Sequence, residues 1–364
     1  MVSKSFKSIL VAGFSVCIIL FSNISKANDG QEKPPVEKKE GFDANEVIFG
    51  HILDAHEFHF LSYEGTDGQS HHLTIPLPVI LYSPQKGWSV FMSSAFHHGE
   101  KEVDGYKLVG NKIVPVDSAV KVYDISLTRA VVQMFLALAV LTFLMIGIGR
   151  KYQNGDGVNK APSGWQNAIE PVITFIRDEV GKPNLGVKVD KFMPYLLTVF
   201  FFILINNLVG LIPGSANVTG NIAVTLVLGV IAFLVILFSS RSHYWGHIFN
   251  PPGVPGFVKV ILVPVEFLGI FIKPMALIIR LFANMVAGHT IIICLISLIF
   301  IFANLHPAVG WGSSPVSLGF TVFIYLIEVL VAFLQAYIFT MLTAVFIGLA
   351  IEEPYHHDES HVAI

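Results

Sequence analysis

Arg280, His289, Glu328 and Gln335 lie inside long apolar runs, and their types define the chemistry open to them. Arg280 sits in ALIIRLFANMVAGHT (276–290). The apolar run around it, Phe257 to Ala303, covers about 45 residues, enough to cross a bilayer twice if helical and upright. A guanidinium at that depth is costly and cannot shed its charge, because its pKa exceeds about 12. It must face an acidic partner, a water cavity or another subunit; the alternative is snorkelling to an interface. On a helix turning about 100° per residue, Glu266, Lys273, Arg280 and Asn284 fall near one face. His289 then points to the opposite side, where it can meet Glu328. Glu328 and Gln335 share a face of the last apolar run. A His–Glu pair in low dielectric can pass a proton, because each group's proton affinity depends on the other's charge. An arginine cannot carry protons by titrating, but it attracts a passing carboxylate and helps it ionise. The set reads as a proton path interrupted by an electrostatic barrier; the alternative is a structural buried ion pair.

The composition says what must position these groups. The 364 residues are 53% hydrophobic and only 13% charged, about half the charged share of a soluble domain, so most of the chain belongs in lipid. The net charge is −3 and no basic block suggests nucleic acid. Cys17 and Cys294 are the 2 cysteines; one falls in the leader and one in an apolar run, which leaves no disulfide and no cysteine metal site. No phosphate-binding glycine loop follows a strand, so nothing suggests nucleotide binding, a cofactor or a catalytic site.

Residues 1–27 read as a secretory signal: Lys4 and Lys7, an apolar stretch from Ile9 to Phe21, and Ser25-Lys26-Ala27 as the cleavage site. An uncleaved first helix is the alternative. Residues 28–124 are polar and mixed, opening on the disordered-looking tract QEKPPVEKKE and continuing as short apolar runs between turns, which suit a few strands. With a signal before it, this segment is extracytoplasmic. It holds His51, His56, His59, His71, His72, His97 and His98. His51 and His59 would share a face of a helix, but no acidic or cysteine partner at firm spacing supports a metal site. Spans follow at Thr128 to Ile148, Phe192 to Ile212 and Ile222 to Phe238. Arg150, Lys151, Lys160, Arg177, Lys182, Lys188 and Lys191 place the first connection in the cytoplasm. Within it, Pro162 to Val180 suits an amphipathic helix on the membrane surface. PGSANVTGN carries no Lys or Arg and lies outside. Asn206, Asn207, Asn217, Asn221 and Thr225 at this turn either tie helices together or line a wet passage. Arg241, His243, His247 and Lys259 bracket a second cytoplasmic connection. Leu305 to Pro315 reads as an outside loop, and Phe320 to Ala350 as the last apolar run. Both final runs exceed one upright span and suit two strongly tilted helices or two broken pairs.

These residues resemble subunit a of the F-type ATP synthase membrane sector. The likeness centres on Arg280-Leu281-Phe282-Ala283-Asn284-Met285 with Ala287-Gly288, and on Leu334-Gln335-Ala336-Tyr337-Ile338-Phe339. Lys273-Pro274, Glu266, Asn207 to Pro213, and Asn221 with Thr225 extend it, so that it covers Thr128 to Glu353. The resemblance implies that Arg280 meets the carboxylates of a ring of small rotor subunits in turn and separates two offset half-channels. Gln335 would support it, with Asn284 one turn along. Glu266 would belong to a cytoplasmic-side passage, His289 and Glu328 to the outside one. Asn207, Asn221, Thr225 and Lys273 become candidate channel-lining groups. Well-known members carry Glu where this chain has His289 and His where it has Glu328; an exchange that keeps one acid and one imidazole suits a directly interacting pair. Ala283 stands where the family usually has Gly.

The expected architecture is an all-α integral membrane protein with about five membrane helices, the last two long and strongly tilted. A signal peptide (1–27) and a small extracytoplasmic segment of mixed or irregular structure (28–124) precede the membrane domain (125–353), and a cytoplasmic tail (354–364) follows. The expected role is a proton-conducting stator in the bacterial inner membrane. Its partners would be the rotor ring, a peripheral stalk subunit, the remaining synthase subunits and the lipid bilayer, with catalysis of ATP synthesis residing elsewhere. The rival is a stand-alone secondary transporter with a site at Arg280, which needs internal repeats that are not evident. A third reading, a membrane scaffold with a partner-binding His-rich outer segment, leaves Arg280, Gln335, His289 and Glu328 unexplained.

Overall fold

Apolar runs too long for soluble helices dominate the architecture, and one β-rich segment is attached where the first of them begins. The structure, a computed structural model, describes residues 54–64, 70–99, 101–117, 120–155, 164–212, 214–251 and 253–351. The expected signal (1–27), the QEKPPVEKKE tract, His51 and the tail 354–364 lie outside the described residues.

The outer segment forms strands where the sequence is richest in Val, Ile, Tyr and Phe. β1 (Glu57–Glu64) pairs antiparallel with β2 (Ser70–Pro76). β3 (Pro78–Ser83) lies between β4 (Gly87–Met92) and β7 (Tyr123–Asp124), and β5 (Tyr106–Val109) pairs with β6 (Lys112–Pro115). Inward positions alternate along β3, as a pleated strand requires. Val79 and Leu81 thereby join Phe96, Tyr106 and Ile113 in a small core. His59 lies on β1, not on a helix, which removes the helical face suggested for it and His51. Its neighbours are β-formers such as Phe58, Phe60 and Tyr63, and they decide the local conformation. Among the described residues no three His, Cys, Asp or Glu side chains converge as metal ligands would.

Among the described residues, five helical stretches are long and apolar enough to cross a membrane: Arg129–Gln153, Trp165–Gly210, Ile222–Ser239, Gly256–Leu305 and Pro307–Ile351. The first is α1 (Arg129–Gln153). The second begins as α2 (Trp165–Phe175), passes through a wide π turn (Ile176–Gly181) and two short turns, and ends as α3 (Val189–Gly210). The expected amphipathic helix is thus the leading part of a longer stack. α4 (Ile222–Ser239) starts at Asn221, whose side-chain oxygen accepts from the Ala223 N–H at 3.0 Å and caps the helix. α5 (Ser242–Phe249) is a short connector.

α6 (Gly256–Leu305) and α7 (Pro307–Ile351) are each continuous, despite Pro264 and Pro274 in α6 and Pro315 in α7. At 1.5 Å per residue α6 is about 75 Å long, against a hydrocarbon thickness of about 30 Å, so an upright arrangement would leave most of it outside. His306 alone joins the two helices, and its Nδ1 accepts from the Ala308 N–H at 3.2 Å. The expected loop from Leu305 to Pro315 is therefore helix. Pro307 fits a first helical turn, where its missing N–H costs nothing, and Gly310 packs directly on Ala303.

The main core centres on α3. Leu196, Phe200 and Ile203 pack with Leu277 and Leu281 of α6 and with Ala336, Phe339 and Ile347 of α7. Gly229 lets α4 approach α6 closely, since a Cβ there would collide with Ile278. Phe233, Leu237, Trp245, Ile248 and Ile270 form a second cluster under α5. One end of the bundle carries Arg129 and the α3–α4 turn. The other carries Ile351, whose carbonyl accepts from Lys188 Nζ at 3.3 Å, and Ala350, whose carbonyl accepts from the Arg241 N–H at 3.0 Å.

Candidate functional site

α6 buries Leu277, Ile278 and Leu281 against its neighbours, and this fixes which way Arg280 points. Arg280 and Asn284 are exposed on the outer face of the helix, one turn apart. No ion pair joins Arg280 to an acidic group among the described residues. Behind it Gln335 of α7 is buried, and its side-chain oxygen accepts from Asn284 Nδ2 at 2.9 Å. On the same two helices Ile272, Ile279, Leu330 and Leu334 are exposed apolar side chains. A fixed cation is thus presented sideways from an apolar surface, backed by an amide pair that sets the register of α6 on α7.

Further along the same helix pair, the Glu328 carboxyl packs against Gly288 so closely that a Cβ there would overlap it. Gly288 adjoins His289 in the chain, so the acid lies beside the turn of α6 that carries the histidine. No direct hydrogen bond joins them. His289 Nε2 and Glu328 Oε2 are both buried, and neither has a hydrogen-bond partner among the described residues. Tyr325, one turn before Glu328, donates to the Leu211 carbonyl at 2.8 Å. The pair therefore sits where α6 and α7 pass the end of α3.

Two clefts flank the arginine. One, of about 340 Å³, is lined by Asp54, Arg129, Asn217, Asn221 and, on α6, Phe282 and Val286. The other, of about 460 Å³, is lined by His243, His247 and, on α6, Val265, Glu266, Gly269, Ile270 and Lys273. Along α6, Arg280 is the charged residue between the two sets of lining side chains. Glu266 has a buried oxygen without a partner among the described residues, whereas Lys273 holds its ammonium 5.2 Å from the centre of the Phe346 ring.

The polar residues of the α3–α4 turn divide between structure and cleft. Asn221 lines the first cleft. Asn207 is fully buried and accepts from the Thr219 hydroxyl at 2.7 Å, with its Nδ2 unpartnered among the described residues. Thr225 is fully buried and returns its hydroxyl to the Asn221 and Ile222 carbonyls of its own helix, so it serves the helix rather than the cleft. Gln133 and Asp54, absent from the sequence-based candidates, complete this end together with Asn217, one of the amides expected at this turn. Gln133 of α1 clasps Ala216, donating to its carbonyl at 2.6 Å and accepting from its N–H at 2.7 Å. Asn217 donates to the Met285 carbonyl at 3.2 Å, next to Asn284. Asp54 reaches in from the outer segment. A lone glutamine in the first apolar run was a visible signal for Gln133; no periodicity or motif marks Asp54.

A model of the ATP synthase A chain family matches residues 131–348, which hold Arg280, Gln335, His289 and Glu328. The chain belongs to this family. An ATP synthase subunit a from Chloroherpeton thalassium is 50% identical over 244 residues, 66% of this chain and 71% of the relative. ATP synthase subunit a 2 from Chlorobaculum tepidum is 46% identical over 247 residues, 65% of this chain and 66% of the relative. A third relative, ATP synthase subunit a 2 from Prosthecochloris aestuarii, is 45% identical over 243 residues, 65% of this chain and 72% of the relative. A domain of unknown function matches residues 47–132. The family membership bears out the resemblance drawn from the two motifs, and the chain is a multi-pass membrane protein of the ATP synthase A chain type.

Proposed function

We propose that this chain is the proton-conducting stator subunit of an F-type ATP synthase, in which Arg280 separates two half-channels that serve rotor carboxylates. The observation that carries the reading is the order along α6: Glu266 and Lys273 on one cleft, then Arg280, then Phe282 and Val286 on the other. A proton arriving through one cleft would reach a carboxylate carried past the exposed face. The guanidinium would favour the ionised carboxylate and repel a free proton, so ions pass from cleft to cleft only on the rotor. Gln335 and Asn284 position this face. His289 and Glu328 serve the cleft at the Arg129 end, Glu266 the cleft at the other, with Asn207 and Asn221 near the first. The pairing of an imidazole with an acid favours protons over sodium.

The reading includes a bacterial inner membrane location, with a cleaved signal, the outer segment outside the cytoplasm and the tail 354–364 inside. The charge asymmetry of the connections supports this orientation. The rotor ring would lie against the Arg280 face, and the peripheral stalk and other synthase subunits would complete the assembly. Family membership and the absence of evident internal repeats favour this reading over a stand-alone transporter.

The test is ATP-driven and passive proton movement in vesicles carrying the assembled complex with Arg280→Ala. Lost pumping in an intact assembly, with a passive leak, is the expected result. Near-normal coupled pumping would remove Arg280 from its role and the reading with it.

A further inference from the structure

Asp54 ties the β-rich segment to the bundle. Its Oδ1 accepts from the Ala55 N–H at 3.0 Å and from the Ala130 N–H, in the first turn of α1, at 3.2 Å. Its Oδ2 accepts from Asn221 Nδ2 at 3.2 Å. The surrounding backbone is held as firmly: Asn111, in the β5–β6 turn, donates to the Asp54 carbonyl at 3.1 Å, and the Arg129 N–H donates to Ala55 at 3.0 Å. The buried Arg129 guanidinium lies within Coulombic reach of the carboxylate. These contacts place a negative group on the wall of the 340 Å³ cleft whose far side is Phe282 and Val286. Phe282 is two residues past Arg280, and Val286 three before His289. Among the described lining residues, Asp54 is the acid of this cleft, and it comes from outside the ATP synthase A chain match.

We propose that Asp54 is the mouth carboxylate of the outward ion path, so that the appended β-rich segment is part of the conducting route. This rests on the reading of the chain as ion-conducting. A carboxylate at the mouth of a low-dielectric cleft raises the local concentration of protons and carrier cations, and the neighbouring Arg129 keeps that attraction from becoming a trap. A purely structural Asp54, acting as a cap on α1, would need only an acceptor oxygen, whereas a mouth carboxylate needs its charge.

The experiment uses the complete complex in vesicles, stripped of its catalytic head, with proton flux driven by an imposed potential. Asp54→Asn keeps an acceptor and removes the charge. Flux is expected to fall by roughly tenfold at low ionic strength, and the gap to the parent should narrow as salt screens the mouth. Asp178→Asn, an exposed acid paired with Lys182 at 2.7 Å in the first connection, is the charge-loss control and should leave flux unchanged. In a background with Cys17→Ser and Cys294→Ser, Asp54→Cys should regain flux with a negatively charged sulfonate thiol reagent and not with a positively charged ammonium reagent. Parent-like flux in Asp54→Asn, or equal responses to both reagents, would overturn the proposal. Loss of assembly in both Asp54 variants would make Asp54 a structural staple and overturn it as well. Arg280→Ala in parallel separates the two levels: coupled pumping in that variant sinks the stator reading, while a silent Asp54→Asn beside an uncoupled Arg280→Ala sinks only this inference.

Discussion

Gly288 shows how little space separates structure from function at single positions. Its missing side chain is occupied by the Glu328 carboxyl, so Gly288→Ala must push that carboxyl aside. Helix propensity would favour the alanine, yet with Glu328 in its proposed proton-handling role a displacement of about 1 Å can cost orders of magnitude in rate. ATP-driven pumping is expected to fall by roughly tenfold with assembly retained, and parent-like pumping would show that the Glu328 position does not matter. Asp124 makes a different case. Burial raises its proton affinity, but hydrogen bonds from His56 and Ser126 and the charge of His56 outweigh this and hold its carboxyl below the ordinary value of 3.8. His56 Nε2 lies 2.8 Å from Asp124 Oδ2 at the base of α1. A lowered folded-state value means that the contact contributes fully above the unfolded value, and that the contribution is lost as pH falls through the folded one. Hydrogen exchange of β3 and β7 should therefore accelerate below about pH 4 in the parent, and Asp124→Asn should lose that pH dependence. Matching profiles in the two proteins would refute the assignment.

At the scale of elements, the arrangement depends on polar clasps more than on helix-forming tendency. Among these apolar helices the lipid is as greasy as the partner, so close packing and a few hydrogen bonds decide the register. Gln133 binds both backbone groups of Ala216 and thereby locks α1 to the α3–α4 turn that walls the first cleft. Gln133→Leu would leave the buried Ala216 N–H unpaired, at a cost of about 1–3 kcal/mol, while its carbonyl keeps the Val218 N–H at 3.1 Å. The expected outcome is a lower thermal midpoint of the detergent-solubilised complex and increased accessibility of Asn217 and Asn221 to labelling at introduced cysteines. An unchanged midpoint would mean that the clasp is dispensable. The Asn284–Gln335 bond does the same for α6 against α7, and Gly229 achieves closeness between α4 and α6 by having no side chain.

For the molecule as a whole, the outer segment and the bundle have separate hydrophobic cores that share no residue: Val79, Leu81, Phe96, Tyr106 and Ile113 in one, and the α3-centred cluster in the other. Removal of residues 28–121 is therefore expected to leave the five long helices formed, with helical circular dichroism per chain preserved; collapse of that signal would show that the two fold as one unit. The α6–α7 pair exposes much of its apolar surface, including Ile272, Ile279, Leu326 and Leu330, as a surface facing lipid or another subunit must. Much of this was determined by the sequence alone. Apolar run length set the five spans, because backbone groups in lipid must be satisfied within each helix. The RLFANM and LQAYIF stretches announced the family. The boundaries of the last hairpin were not legible, since Gly, Ser and Pro between Leu305 and Pro315 carry loop signals that a helix in an apolar setting overrides. Only the tertiary structure decided that Glu328 rests on Gly288 and that Thr225 turns back on its own helix. It alone set the order of the two clefts about Arg280, because that order depends on the register between helices. It alone also brought Asp54 to the bundle, because one carboxylate on a strand-rich segment leaves no pattern in the chain until folding carries it against α1 and α4.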